Sequence, residues 1–207
     1  MSEDVHPGHY LKPDYDTKGR FISYWHQVSE LLSLAPRKVL EIGVGNGFLS
    51  VYLRRRGLEV TTLDVDSSLK PDVTGSVLSL PMPDGSFDAV GCFEVLEHLP
   101  YEDFHKALSE IRRVSAGHAV LSVPDHTPVY RLDVELPLFG EIKRLLPHPF
   151  PRLEPHVFDG THYWVIGKEQ YPLARIEADI VGAGFKILKT YRVFEFYGHR
   201  FFVLQRL

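Results

Sequence analysis

The 207-residue chain contains a single cysteine, Cys92, so no internal disulfide can staple it, and this usage suits a reducing compartment. Long apolar runs are also missing. The opening residues are polar and include Pro7 and Pro13. Neither a secretory leader nor a membrane span is expected, and a cytoplasmic location follows as the default. Basic charge is scarce: 23 Lys and Arg against 27 Asp and Glu leave a net charge of −4. Phosphate backbones are held by clustered Lys and Arg, so no nucleic-acid partner is expected. The one basic run, Arg54-Arg55-Arg56, closes a helical stretch before Gly57. Cations suit a helix end of that polarity, which reads as a solvated face. The hydrophobic content of 44% is that of an ordinary globular chain, enough for one domain with a sizeable core.

What stands out is a glycine-rich turn. Val39-Leu40-Glu41-Ile42 is an apolar run carrying one acid, and it enters Gly43-Val44-Gly45-Asn46-Gly47. Phe48 to Arg56 then reads as a helix. Glycines at a strand–helix turn let the backbone approach a ligand and take up positive φ without a Cβ clash. Helix N-terminal N–H groups point into the same crevice. A phosphate-binding P-loop needs Gly-Lys-Ser/Thr at the end of such a turn. Here Phe48 and Leu49 follow Gly47. A dinucleotide fingerprint needs a third glycine where Phe48 stands. The remaining pattern, E-x-G-x-G-x-G, has an acid before the turn and no basic residue within it. It suits a cofactor without phosphate that carries an amine and a sulfonium. Seventeen residues past Gly47, Leu63-Asp64-Val65-Asp66 ends a second apolar run. An acid there can hold both hydroxyls of a ribose. Asp64, which directly follows Thr61-Thr62-Leu63, is the favoured residue, with Asp66 as the alternative.

Two further segments complete a pattern. Leu80-Pro81-Met82-Pro83-Asp84-Gly85-Ser86-Phe87-Asp88-Ala89-Val90 and Phe93-Glu94-Val95-Leu96-Glu97-His98-Leu99 follow in order. With the glycine turn they cover roughly residues 39–123. Over this span the chain resembles the class I S-adenosylmethionine-dependent methyltransferases of the type 11 kind. The resemblance implies S-adenosylmethionine as cofactor and methyl transfer as reaction. It implies cofactor contacts at Glu41, Gly43, Gly45, Gly47, Asp64 and the neighbouring Val65. Ser76, Val77 and Leu78 align with the loop beside the adenine. Ser76 stands where many relatives carry Asp, so that contact would lack charge. Phe93, Glu94 and His98 fall near the methionine end, where His98 either bonds near the sulfonium or caps its loop. Cys92 reads as a small buried apolar group rather than a nucleophile.

Periodicity gives the organisation. Phe21, Trp25, Val28 and Leu32 recur at helical spacing, closed by Pro36. Lys38–Ile42, Glu59–Leu63, Phe87–Phe93 and His118–Val123 read as strands. Phe104, Ala107, Leu108 and Ile111 mark an amphipathic helix. Strands alternating with helices imply a parallel sheet covered on both faces. A late helix opens at Pro172 and ends at Gly184, and residues 185–205 form a terminal hairpin. The expected fold is a Rossmann-like, doubly wound α/β domain with seven strands, parallel apart from a C-terminal antiparallel hairpin. An N-terminal helical cap (1–36) precedes the cofactor-binding core (37–123). An insertion after the fifth strand (124–170) precedes the closing helix and hairpin (171–207). All of this is one domain.

The insertion is where the resemblance fades. Residues 124–155 hold seven of the fifteen prolines, and the whole insertion holds His126, His148, His156 and His162. The stretch from Glu154 to Trp164 is dense in polar and aromatic groups. One reading is a substrate pocket in which His162 or His156 accepts a proton, with Tyr163 helping to orient the acceptor. A second is a metal site from His156, His162 and an acid, which no tight ligand spacing supports, so no metal is expected. A third is a lid whose histidines satisfy backbone groups. Tyr10, Tyr15, Phe21, Tyr24 and Trp25 in the cap, and Phe150, Phe158, Tyr163 and Trp164 in the insertion, would wall a small organic acceptor with a ring or apolar portion. The alternative is that these aromatics form a packed mini-core. A protein side chain stays open as acceptor, no membrane partner is expected, and the oligomeric state is open. Two other classes of function remain: a cofactor-binding sensor or regulatory subunit without turnover, and transfer of another group of the adenosyl sulfonium, such as aminopropyl.

Overall fold

The computed structural model describes residues 10, 12, 14–138 and 140–207. Residues 1–9, 11 and 13 of the expected cap lie outside the described residues. Helix α1 spans Lys18–Ser33, and its N-cap Thr17 accepts a hydrogen bond from the Arg20 amide. Strand β1 (Lys38–Ile42) leads through the glycine turn into α2 (Phe48–Arg55). Strands β2 (Glu59–Asp64), β3 (Val73–Thr74) and β4 (Phe87–Phe93) follow, then α3 (Phe104–Val114) and β5 (Ser115–Pro124). Strands β6 (Val129–Leu136) and β7 (Gly140–Pro147) pair with each other. Helix α4 (Leu173–Gly182), β8 (Phe185–Arg192) and β9 (His199–Arg206) complete the order.

Seven strands make one sheet in the order β3-β2-β1-β4-β5-β9-β8. The first five run parallel, and β9 is antiparallel to both β5 and β8. The expected α/β topology is therefore the one observed. Each face is covered. Phe104, Leu108 and Ile111 of α3 and Ile176 and Ile180 of α4 join one apolar core. Leu31 of α1 and Leu49 and Leu53 of α2 join the other. Burial on both faces explains why β1 and β4 read as nearly continuous apolar runs. The strand order reverses between β1 and β4, and open α/β sheets bind ligands in the crevice beyond the carboxyl ends at such a point.

Three expectations are corrected. The insertion, to which the sequence assigned no element, contains an antiparallel ribbon formed by β6 and β7. One face of it carries Tyr130, Leu132, Val134, Ile142 and Leu146, each at least a third exposed. Helix α1 buries only half of the stripe Phe21, Trp25, Val28, Leu32: Val28 and Leu32 pack against the core, whereas Phe21 is exposed. Trp25 is 64% exposed, and Tyr24, Gln27 and Leu31 face inward instead. Polar groups share that inner face because it reaches both the sheet and the crevice. Trp164 is no pocket wall. It is fully buried, donates its indole N–H to the Leu96 carbonyl (3.2 Å), and returns the insertion to the core between Phe104 and Tyr101.

Candidate active site

At the carboxyl end of β1 the chain turns through Gly43 (φ +85°) and Gly45 (φ +54°). Both angles lie in the left-handed region that L side chains avoid. A Cβ at Gly43 would run into the Val95 side chain, whereas one at Gly45 would meet only the Tyr10 ring, at an ordinary contact distance of 3.7 Å. The Gly43 amide donates to Leu63 O (2.8 Å) and the Val44 amide to Asp64 Oδ2 (2.9 Å). Asp64 Oδ1 accepts from the Asp66 amide (2.9 Å). Asp64 thus braces two loops, and each carboxylate oxygen keeps a further lone pair. Asn46 donates its side-chain amide to Asp16 (3.0 Å) and to the Tyr24 hydroxyl (3.1 Å), which ties the turn to the start of α1.

Beneath the turn lies a cavity of about 870 Å³. Its walls include Glu41, Gly43, Val44, Gly45, Phe93, Glu94 and His98, all close to the ends of β1 and β4. Three carboxylates define its chemistry. Glu41 is buried, its Oε2 has no partner, and burial pushes its carboxyl up to about 8 against hydrogen bonding from Ser50. The Gly43 and Val44 amides go to Leu63 O and Asp64 rather than to Glu41. Glu97 is fully buried with neither oxygen partnered, and burial followed by the nearby Glu94 charge holds its carboxyl well above the usual range. Glu94 sits at φ +53° and accepts from Ser122 Oγ (2.7 Å) while facing His199 Nε2 at 3.4 Å. A non-glycine residue held in that region is a strained conformation of the kind that clusters at functional sites.

The remaining candidates divide. His162 is on the cavity wall, with its ring 5.1 Å from that of His98 and its Nδ1 3.1 Å from Asp159 Oδ2. His98 Nδ1–H donates to Thr161 O (2.9 Å), and burial lowers its pKa. His156 and Tyr163 are not on that wall. His156 Nε2–H donates to the His162 carbonyl (2.9 Å), and Tyr163 packs on Phe158 while its amide donates to Glu97 O (2.8 Å). Both act within the insertion itself. Asp64, Val65, Ser76, Val77 and Leu78 also stay off the wall. Val65 is 71% exposed, Ser76 Oγ accepts from the Leu78 amide (3.2 Å), and Val77 is buried in the core. Tyr10 lies beside Gly45 at that boundary, and burial with the charges of Asp64 and Asp66 pushes its hydroxyl up to about 12. Of the expected aromatic walls, Tyr10, Tyr15 and Tyr24 line the cavity, while Phe21, Trp25, Phe150 and Phe158 do not.

Several wall residues were not expected from sequence. His199, buried at the start of β9, is hydrogen-bonded through Nδ1 to Ser23 Oγ (3.0 Å). His126 lines this cavity and also a neighbouring one of about 580 Å³ bounded by Thr127, His148 and Arg192. Arg192 and Arg200 close on the buried Asp125, with Arg200 Nε 2.6 Å from its Oδ2, and so fix where β5 ends and the insertion begins. A topological cue existed for His199, since a hairpin strand antiparallel to β5 must start at the carboxyl end of β5.

Comparison with known proteins bears on this geometry. Residues 40–122 match a family described as the methyltransferase domain. Over this stretch the chain is similar to that family. The matched stretch contains the glycine turn, Asp64, Glu94, Glu97 and His98. Demethylmenaquinone methyltransferase of Thermus thermophilus is 27% identical over 86% of this chain and 90% of its own. The ubiquinone biosynthesis O-methyltransferase of Stutzerimonas stutzeri is 35% identical over 35% of this chain. That match covers 38% of the relative, so the chain spans well under half its length. In fold, the chain is similar to magnesium protoporphyrin IX methyltransferase of Synechocystis with bound S-adenosylhomocysteine. The TM-score is 0.61 at 20% identity, over 91% of this chain and 84% of that one.

Proposed function

We propose that the chain binds S-adenosylmethionine in the crevice under the Gly43–Gly47 turn and transfers its methyl group to a small organic acceptor. The observation that carries this reading is the pairing of an open glycine turn with a buried, half-partnered Glu41 carboxyl on the same cavity. A buried carboxyl oxygen without a donor is costly unless a ligand supplies one. A wall whose deepest charged groups are acids favours a cationic ligand over a phosphate-bearing one.

When bound, the cofactor supplies a methyl group on sulfur, and an acceptor atom gains that methyl as the carbon–sulfur bond breaks and a neutral thioether leaves. Glu41 would receive the amino group, Asp64 the ribose hydroxyls, and the Gly45 backbone would leave room for the chain between them. Phe93 and Glu94 would border the methionine end, with Val65 and residues 76–78 towards the adenine. Placing acceptor and methyl in line supplies most of the rate. His162 is the candidate proton acceptor for an acceptor that arrives protonated, with Asp159 orienting its ring. The names of the relatives favour ring-bearing acceptors of the quinone kind.

Calorimetry with S-adenosylmethionine, S-adenosylhomocysteine and NAD tests the cofactor. Saturable binding of the first two alone is expected, and binding of NAD alone would overturn the reading. Incubation with methyl-labelled cofactor and cell extract then tests transfer. Label in a small-molecule product is the expected result, whereas binding without transfer would point to a sensor.

A further inference from the structure

Among the described residues, one group of side chains has the makings of a cation site. One potential ligand atom from each of Glu97, His98 and His162 lies within 4.8 Å of the others. We propose that these three residues bind a first-row divalent cation at the acceptor end of the cavity.

Three independent features support it. First, Glu97 is fully buried on the cavity wall, and neither carboxylate oxygen has a hydrogen-bond partner. A wholly unpartnered buried acid calls for a counter-charge. Its Oε1 faces His98 Nε2 at 4.0 Å, too far for a hydrogen bond. Second, both imidazoles are already oriented. His98 Nδ1–H donates to the Thr161 carbonyl, and His162 Nδ1 pairs with the Asp159 carboxylate at 3.1 Å. Each neutral ring then keeps its Nε2 lone pair for another partner. A second nitrogen tied to a carbonyl or carboxylate is how metal-binding histidines are usually held. Third, the cavity leaves room beside the group, so coordination positions stay open.

The donor set indicates the cation. Two imidazoles and one carboxylate suit manganese, iron, cobalt or zinc better than magnesium or calcium, which prefer oxygen. Bonds of about 2.0–2.2 Å bring ligand atoms to within roughly 4 Å of each other. The group is therefore slightly open, and it closes by rotation of His162, which sits on a surface loop.

The role of the cation rests on the methyl-transfer reading; the binding site does not. A cation here would hold an acceptor hydroxyl and lower its pKa. The hydroxyl proton would pass to solvent base, and the oxygen would form its bond to the methyl carbon as the carbon–sulfur bond breaks. His162 would then act as a ligand in place of a base.

The test uses the whole chain after chelator treatment. Co²⁺ is titrated with visible absorbance as readout, and Mn²⁺ and Zn²⁺ by calorimetry. S-adenosylhomocysteine binding is measured on the same samples. One cation per chain is expected, with an absorption band that shifts on binding. Glu97→Gln and His162→Ala should each weaken cation binding by about tenfold or more. His162→Ala should leave S-adenosylhomocysteine affinity within about twofold. Should Glu97→Gln fail to fold, His162→Ala on its exposed loop carries the test. No saturable binding of any of the three cations at millimolar concentration would overturn the proposal. So would binding that survives His162→Ala unchanged. Cation binding without S-adenosylhomocysteine binding would overturn the methyl-transfer reading and leave the site standing; the reverse pattern would do the opposite.

Discussion

Glu41→Gln should separate the cost of a buried acid from its use. The Glu41 carboxyl rises from an ordinary value of 4.5 to about 8, first because burial strips it of water. A carboxyl with a raised pKa keeps its proton in the folded chain when the unfolded chain has already lost it. Between pH 4.5 and 8 the folded state therefore binds more protons, and stability falls as pH rises through that window. Each pH unit is worth about 1.4 kcal/mol, so the ceiling is about 5 kcal/mol, and relaxation around the site brings it to roughly 2–5 kcal/mol. Glutamine keeps the shape and does not ionise. Urea denaturation at pH 5.5 and 8.5 spans most of that window, so wild type should lose more stability than the variant does by about 1–3 kcal/mol. Ligand binding should respond in the opposite sense. If an ammonium pairs with ionised Glu41, wild-type affinity for S-adenosylmethionine rises from pH 6 to 8 as the proton leaves, and the variant binds weakly throughout. Calorimetry in buffers of different ionisation enthalpy should register that proton. Identical pH slopes in wild type and variant, for both stability and binding, would refute the reasoning.

Three other outcomes follow from the geometry. Gly45→Val places a β-branched side chain at φ +54° and into the cavity, so cofactor binding should vanish in calorimetry while far-ultraviolet circular dichroism is retained. Asp64→Ala removes an acceptor from the Val44 and Asp66 amides. It should weaken S-adenosylhomocysteine binding by roughly 1.5–3 kcal/mol without abolishing it, and a Kd equal to wild type would move the ribose elsewhere. Asp125→Ala leaves the largely buried side chains of Arg192 and Arg200 without their carboxylate, and should cost about 3–5 kcal/mol in denaturant unfolding.

The sequence was most legible where one physical requirement repeats along the chain. Strands buried on both faces stay apolar, so β1 and β4 were found to the residue. Glycines that must adopt positive φ marked the turn. The β6–β7 ribbon was legible and missed: Tyr130 to Leu136 alternates apolar and charged residues at strand period, but Pro128, Pro137 and Pro147 flank it and its apolar face points outward rather than into the core. The inward face of α1 escaped because Ser23 and Glu30 are buried for polar contacts and Gln27 faces the cavity, which a hydrophobic stripe cannot register. On the site, the glycine turn, Glu41, Glu94 and His98 come together as spacing suggested, and His162 joins them from the insertion. His199 and His126 were hidden because three-dimensional neighbours distant in sequence leave no local pattern. His156 and Tyr163 were over-read, since clustering along the chain does not bring side chains into the same cavity.

The placement of β9 has a consequence for how the molecule assembles. Pro124 and His199 are paired across β5 and β9, although 75 residues separate them. Closing a loop of that length costs entropy before any contact repays it, so this pairing should be slow relative to the parallel pairing of β1, β2 and β4. A chain caught before that closure has β5 as a bare edge, with Leu121 and Val123 open to pairing with another molecule. It also lacks the wall carrying His199 and the contact from His199 to Glu94. A ligand of the cavity therefore favours the fully closed sheet by mass action, and its presence during refolding should raise the yield of monodisperse protein.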